Sequence, residues 1–152
     1  MFNRRSFLIT ALSSPVVASL ATPALAAKPE IYAPQGLAIK GYDPVGYFTQ
    51  STHVKGLAQH SLNWKGAEWR FASADTMATF QANPAGFAPQ YGGYCAFAVA
   101  HGATAKTDPD AWTIHEGKLY LNFNISVRTK WRKDIPGFVS RADQNWPTVL
   151  EA

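Results

Sequence analysis

Trp112-Thr113-Ile114-His115-Glu116-Gly117-Lys118-Leu119-Tyr120-Leu121 decides the architecture. Two short runs of β-formers flank Glu116-Gly117, a pair suited to closing a tight hairpin. Upstream, Ser61-Leu62-Asn63-Trp64 and Glu68-Trp69-Arg70-Phe71 alternate polar and apolar with period two around Lys65-Gly66-Ala67. They predict a second hairpin with one buried face carrying Leu62, Trp64, Trp69 and Phe71. The hairpins are separated by helical signals without regular βαβ alternation. The expected fold is α+β: a small single domain of two β-hairpins packed against several short helices.

The remaining segments are read from their punctuation. Lys28 to Gly36 is a Pro/Gly-containing, extended lead-in. Gly41-Tyr42-Asp43-Pro44 is a turn, and Val45-Gly46-Tyr47-Phe48 reads as a short strand. Ser73 caps a helix with Asp75 in its first turn and Met77 and Phe80 on one face, and Asn83-Pro84 stops it. A short helix runs from near Gly93 to Gly102. Ser126 is placed as the cap of a helix carrying Val127 and Trp131. Asp134-Ile135-Pro136 opens a last helix, with Phe138, Val139 and Ala142 inward, and Trp146-Pro147 ends it.

With 152 residues, 47% hydrophobic and 13% aromatic, the chain is long and apolar enough for one packed domain. Its single cysteine excludes an internal disulfide, a CxxC pair and a zinc site built on several thiolates. The net charge of +4 overstates the basic character. Residues 1–26 read as an export signal: Arg4 and Arg5, an uncharged apolar stretch, then Ala24-Leu25-Ala26 as an A-x-A cleavage pattern. Asn3-Arg4-Arg5-Ser6-Phe7-Leu8 resembles a bacterial twin-arginine signal, which implies export of a folded protein to the periplasm. Removing residues 1–26 takes two arginines and no acid, which leaves residues 27–152 with 12 basic and 10 acidic side chains. That small excess, and export itself, argue against a nucleic-acid partner. Cleavage leaves no stable membrane anchor.

Gly41-Tyr42-Asp43-Pro44-Val45, then Trp69-Arg70-Phe71-Ala72-Ser73, Phe80 and Asn83-Pro84 resemble a YHS domain. Metal-associated members of that family have cysteines where this chain has Gly46, Ala72 and Thr76. The downstream elements Pro89-Gln90-Tyr91-Gly92-Gly93-Tyr94-Cys95-Ala96, Trp112, Gly117–Asn122 and Trp146-Pro147 resemble exported bacterial YHS domain-containing (seleno)proteins. Some of these carry selenocysteine at the position of Cys95. The resemblance implies a YHS-like fold for residues 27–152 and directs attention to Cys95.

Two readings of Cys95 stand open. It is a small buried hydrophobe, or it is a reactive thiolate or soft-metal ligand whose pKa would be lowered in the first turn of a helix begun at Gly92-Gly93. Cys95 with His101 and His60, and Met77 as a further soft donor, would suit copper. Tyr91, Tyr94, Tyr42 and Asp43 are candidate small-ligand contacts, although Asp43 before Pro44 also fits a turn-forming Asx residue. His53 and His115 read as ordinary polar residues. Arg128, Lys130, Arg132 and Lys133 read as a solvated helix face, with Glu116, Asp134 and Asp143 available to pair with it. No phosphate loop, GxSxG, HExxH or dinucleotide fingerprint occurs. The favoured expectation is a non-catalytic binding domain for a soft metal, copper first, or for a small ligand, centred on Cys95. The alternatives are a thiol-dependent redox enzyme with Cys95 as nucleophile, and a protein-interaction module with Cys95 merely packed.

Overall fold

Residues 26–152 are described by the structure, a computed structural model. The signal-peptide expectation lies outside the described residues, apart from Ala26. The domain is α+β, with two antiparallel hairpins that form separate two-stranded sheets. Strands β1 (Leu57–Trp64) and β2 (Ala67–Phe71) pair Leu62 with Trp69 and Trp64 with Ala67. Lys65 and Gly66 alone make the turn, at φ 49° and 76°, so Ala67 belongs to the strand. β1 starts at Leu57, earlier than the expected Ser61, and its register is irregular between those two residues. Strands β3 (Trp112–His115) and β4 (Lys118–Leu121) close through Glu116 and Gly117, at φ 50° and 73°. Positive φ at both central residues is what a tight hairpin of this hand requires.

The segment expected as a strand at Val45–Phe48 is instead helical: α1 spans Gly46–Thr49. A short apolar run does not by itself distinguish a strand from a buried helical turn. Asp43 decides it, because its Oδ1 accepts the Val45 N–H at 2.9 Å and turns the chain. Phe48 and Thr49 then donate to the Val45 carbonyl at 3.0 and 3.1 Å.

Helix α2 (Ala74–Ala82) carries the expected Ser73 cap, whose side chain accepts the Thr76 N–H. Asn83-Pro84 ends α2 and also opens α3 (Pro84–Phe87): Asn83 accepts the Gly86 N–H, and proline suits a first helical turn. Helix α4 (Ala96–Ala100) ends where Gly102, at φ 75°, donates to Val99. Helix α5 (Ile125–Trp131) is capped by Asn124 rather than Ser126, through a 2.8 Å bond from the Val127 N–H. Helix α6 (Ile135–Asn145) opens at the expected Asp134-Ile135-Pro136, and Asp134 caps it by accepting the Gly137 N–H. Such caps are each worth about 1 kcal/mol.

The second hairpin divides the interior into two cores. Period-two alternation sends Leu119 and Leu121 to a core with Trp69, Phe71 and Phe80. Tyr120 points the other way, into a core with Tyr91, Tyr94, Val99, Trp131 and Ala142. The lead-in crosses this second core as an extended strap and bends into a 3₁₀ turn at Pro34–Gly36. Lys28 N–H donates to Leu150 at 2.8 Å and Tyr32 N–H to Gly92 at 2.9 Å.

Candidate functional site

The Tyr91-Gly92-Gly93-Tyr94-Cys95 element is shaped by that strap. Gly92 has φ 61°, and a Cβ there would lie 1.7 Å from the Glu30 carbonyl oxygen. Only glycine lets the two backbones approach so closely. Gly93, at φ 83°, presents its carbonyl to Thr107 Oγ1, which donates at 2.7 Å. The double glycine therefore has a packing role and does not itself start a helix. It forms a 3₁₀ turn over Gln90–Gly93, and α4 begins later, with Cys95 at its N-cap.

Cys95 is 1% exposed. Its thiol donates to Asn122 Oδ1 at 3.6 Å, and the same oxygen accepts the Phe97 N–H at 3.1 Å. Burial pushes the thiol pKa up, while backbone N–H groups of Ala98, Phe123 and Phe97 pull the other way without prevailing. The expected lowering by a helix N-terminus is overturned by desolvation of the thiolate. Asn122 is fully buried, and its Nδ2 has no partner among the described residues.

The copper set is not assembled. His101 is exposed, with Nδ1 2.7 Å from the Phe97 carbonyl and its ring 4.4 Å from that of Phe97. His60 lies on β1, in the other half of the domain, and Met77 packs against the first core. Among the described residues no three His, Cys, Asp or Glu side chains group as a metal site. One buried thiol beside an amide oxygen does not fit copper, which wants several soft or imidazole donors.

The four small-ligand candidates also separate. Asp43 is fully buried and committed internally. Its Oδ1 accepts from Val45, and its Oδ2 accepts the Ala72 N–H at 2.9 Å and the Thr76 hydroxyl at 2.6 Å. Ala72 and Thr76 thus meet on this carboxylate. A Cβ at Gly46 would press on Val54 at 2.8 Å. Tyr42 packs on the first core beside His53, their ring centroids 5.5 Å apart. Tyr91 and Tyr94 belong to the second core, with Tyr94 donating to the Pro29 carbonyl at 2.8 Å.

Tyr91 and Tyr94 do reach clefts. Tyr91 lines one of about 210 Å³ with Trp64, Trp146 and the Glu30–Lys65 ion pair. Tyr94 lines another of about 410 Å³ on the other side of the strap. The Tyr91 hydroxyl also leads to a third cleft, because it donates to Asp143 Oδ1 at 2.8 Å. That cleft, about 380 Å³, lies between the β3–β4 turn and α6 and contains His115, Glu116, Tyr120, Ser140 and Asp143. The basic stretch does not use these acids: Arg128 and Arg132 donate to the Trp112 carbonyl, Arg128 also to that of Asp110, and Arg132 also to Thr113 Oγ1.

The third cleft has a sequence signal that hairpin recognition alone misses. Pairing of Thr113 with Tyr120 and His115 with Lys118 places these residues on one face, opposite Ile114 and Leu119. On α6, Val139, Ser140 and Asp143 follow helical spacing on the facing side. Compared with protein-family models, curated proteins and solved structures, the chain has no significant match.

Proposed function

We propose that the protein is an exported, YHS-like, non-catalytic binding domain for a small ligand. Its binding surface is built around Tyr91 and Tyr94, and Cys95 is a packed thiol behind it. The twin-arginine-like leader supports a periplasmic location. The observation that carries the reading is the double engagement of Tyr91, whose residue lines an aromatic cleft while its hydroxyl orients Asp143 in a polar one. Clefts that combine aromatic walls with a few fixed polar groups suit small ligands.

The soft-metal centre has less support because Cys95 lacks the necessary co-ligands. The thiol-redox alternative has less support because burial favours the protonated, unreactive form. A protein-interaction role draws on a separate observation, the exposed neighbours Phe123 and Ile125. Cu(I) competition with a chelator tests the main reading. Mature protein and Cys95→Ser are expected to bind Cu(I) equally weakly. Tight binding that disappears in Cys95→Ser would replace the small-ligand surface with a metal centre.

A further inference from the structure

We propose that the cleft between the β3–β4 turn and α6 binds a small organic ammonium ion, with Asp143, Tyr120 and Ser140 as its inner contacts. This rests on the binding-domain reading and narrows it to one cleft and one ligand class.

Tyr120 is the starting point. It is 3% exposed, packed against Trp131 with ring centroids 5.1 Å apart, and lines the cleft. Its hydroxyl makes no hydrogen bond among the described residues and is not one of their enclosed unpaired atoms, so it meets the solvent of the cleft. A phenol whose ring is packed while its hydroxyl is left to the solvent of a polar cleft can give that hydroxyl to a ligand atom or a bound water. Asp143 is held from behind: Tyr91 donates to Oδ1 at 2.8 Å, and among the described residues no donor takes Oδ2. Ser140 lies one turn earlier on α6, on the same wall.

These groups offer a carboxylate oxygen and two hydroxyl oxygens. A primary ammonium has three N–H donors and matches that acceptor set. The field has the right sign. Burial raises the Tyr120 phenol above its ordinary value, and the charges of Asp143 and Glu116 raise it further. A negative potential that opposes a phenolate favours a bound cation. Lys118 and His115 stand at the turn end, with His115 Nε2 3.9 Å from Glu116 Oε1, so that end suits the polar tail of the ligand and not its ammonium. Val139 and Pro136 provide the apolar wall for a short carbon body.

The test is NMR titration of the isotope-labelled mature protein with ethanolamine and benzylamine, against ethylene glycol and benzyl alcohol as neutral counterparts. The amines are expected to give saturable shifts at Tyr120, Ser140 and Asp143, with affinity at least tenfold above the alcohols. Asp143→Asn should lose tenfold or more. Tyr120→Phe, which keeps the ring packing, should lose several-fold, and Cys95→Ser should bind as wild type. Equal binding of amines and alcohols, no binding, or shifts elsewhere would overturn the ammonium site. So would wild-type affinity in both cleft variants, and if Asp143→Asn does not fold, Tyr120→Phe alone decides. The Cu(I) result is independent: failure here leaves the broader reading in place, whereas a Cys95-dependent Cu(I) site removes it.

Discussion

Cys95 and Tyr120 are both buried, and each carries one ionisable proton, yet they play opposite parts. The thiol is enclosed and satisfied by Asn122. The tyrosine is almost as buried, but among the described residues its hydroxyl has no partner, and the residue lines a cleft. The two environments are adjacent in the chain, since Asn122 follows Tyr120 by two residues. Burial of a reactive group therefore does not identify a site. A polar group on a packed side chain that reaches an opening without a protein partner does so more sharply, because its hydrogen bonds are left for solvent or a ligand to make.

The element that joins the two environments is the place to break both. Gly92→Ala is expected to have the largest effect. Its methyl would overlap the Glu30 carbonyl and occupy a left-handed backbone position. The strap, its Tyr32–Gly92 bond and the Tyr94–Pro29 bond would all shift. A loss of about 4 kcal/mol or failure to fold is expected, measured by urea unfolding. A stability within 1 kcal/mol of wild type would show that the strap is not held at this crossing.

Next in size is the contrast between Asn122→Ala and Tyr120→Phe. The first leaves the Phe97 N–H and the Cys95 thiol without their acceptor and opens a cavity. Relief of the orphaned Nδ2 offsets part of that, so a loss of about 2 kcal/mol is expected. Tyr120→Phe removes a hydroxyl that bonds to nothing among the described residues, and about 0.5 kcal/mol or less should be lost. Equal losses would mean that the cleft hydroxyl is structural, contrary to its geometry.

The same distinction explains what was legible in the sequence. Glu116-Gly117 and the alternation around Lys65-Gly66 reported both hairpins, because turn chemistry and side-chain period are local. The Ser73 cap and the helix start at Asp134-Ile135-Pro136 were legible for the same reason. Val45–Phe48 was not, since its helical turn depends on the Asp43 carboxylate together with the rest of the fold. Asn124 and Ser126, two residues apart, both offer a capping oxygen, and the local sequence alone does not choose between them. At the site, the Gly92-Gly93 signal was visible but belonged to a backbone crossing with Glu30, a contact across sixty-odd residues. Tyr91 was singled out from sequence, whereas its partner Asp143 lies on a distant helix that only the fold brings near.

The smallest expected effect separates the two environments by pH. Burial raises the thiol of Cys95, and burial with neighbouring charge raises Tyr91 and Tyr120. In each case the unfolded chain ionises at a lower pH than the folded one. Their contribution to stability is complete below the unfolded values and is lost as pH rises through the folded ones. Stability from these groups should therefore be flat up to about pH 8.5, begin to fall as the unfolded thiol ionises, and fall more steeply above about pH 10 as the tyrosines join. Cys95→Ser should remove the first part of that decline and leave the second, while Tyr91→Phe should soften only the second. Urea unfolding at a series of pH values checks this. A decline whose onset does not move in Cys95→Ser would show that the thiol is not the desolvated group its surroundings make it, and the contrast with Tyr120 would have to be drawn on accessibility alone.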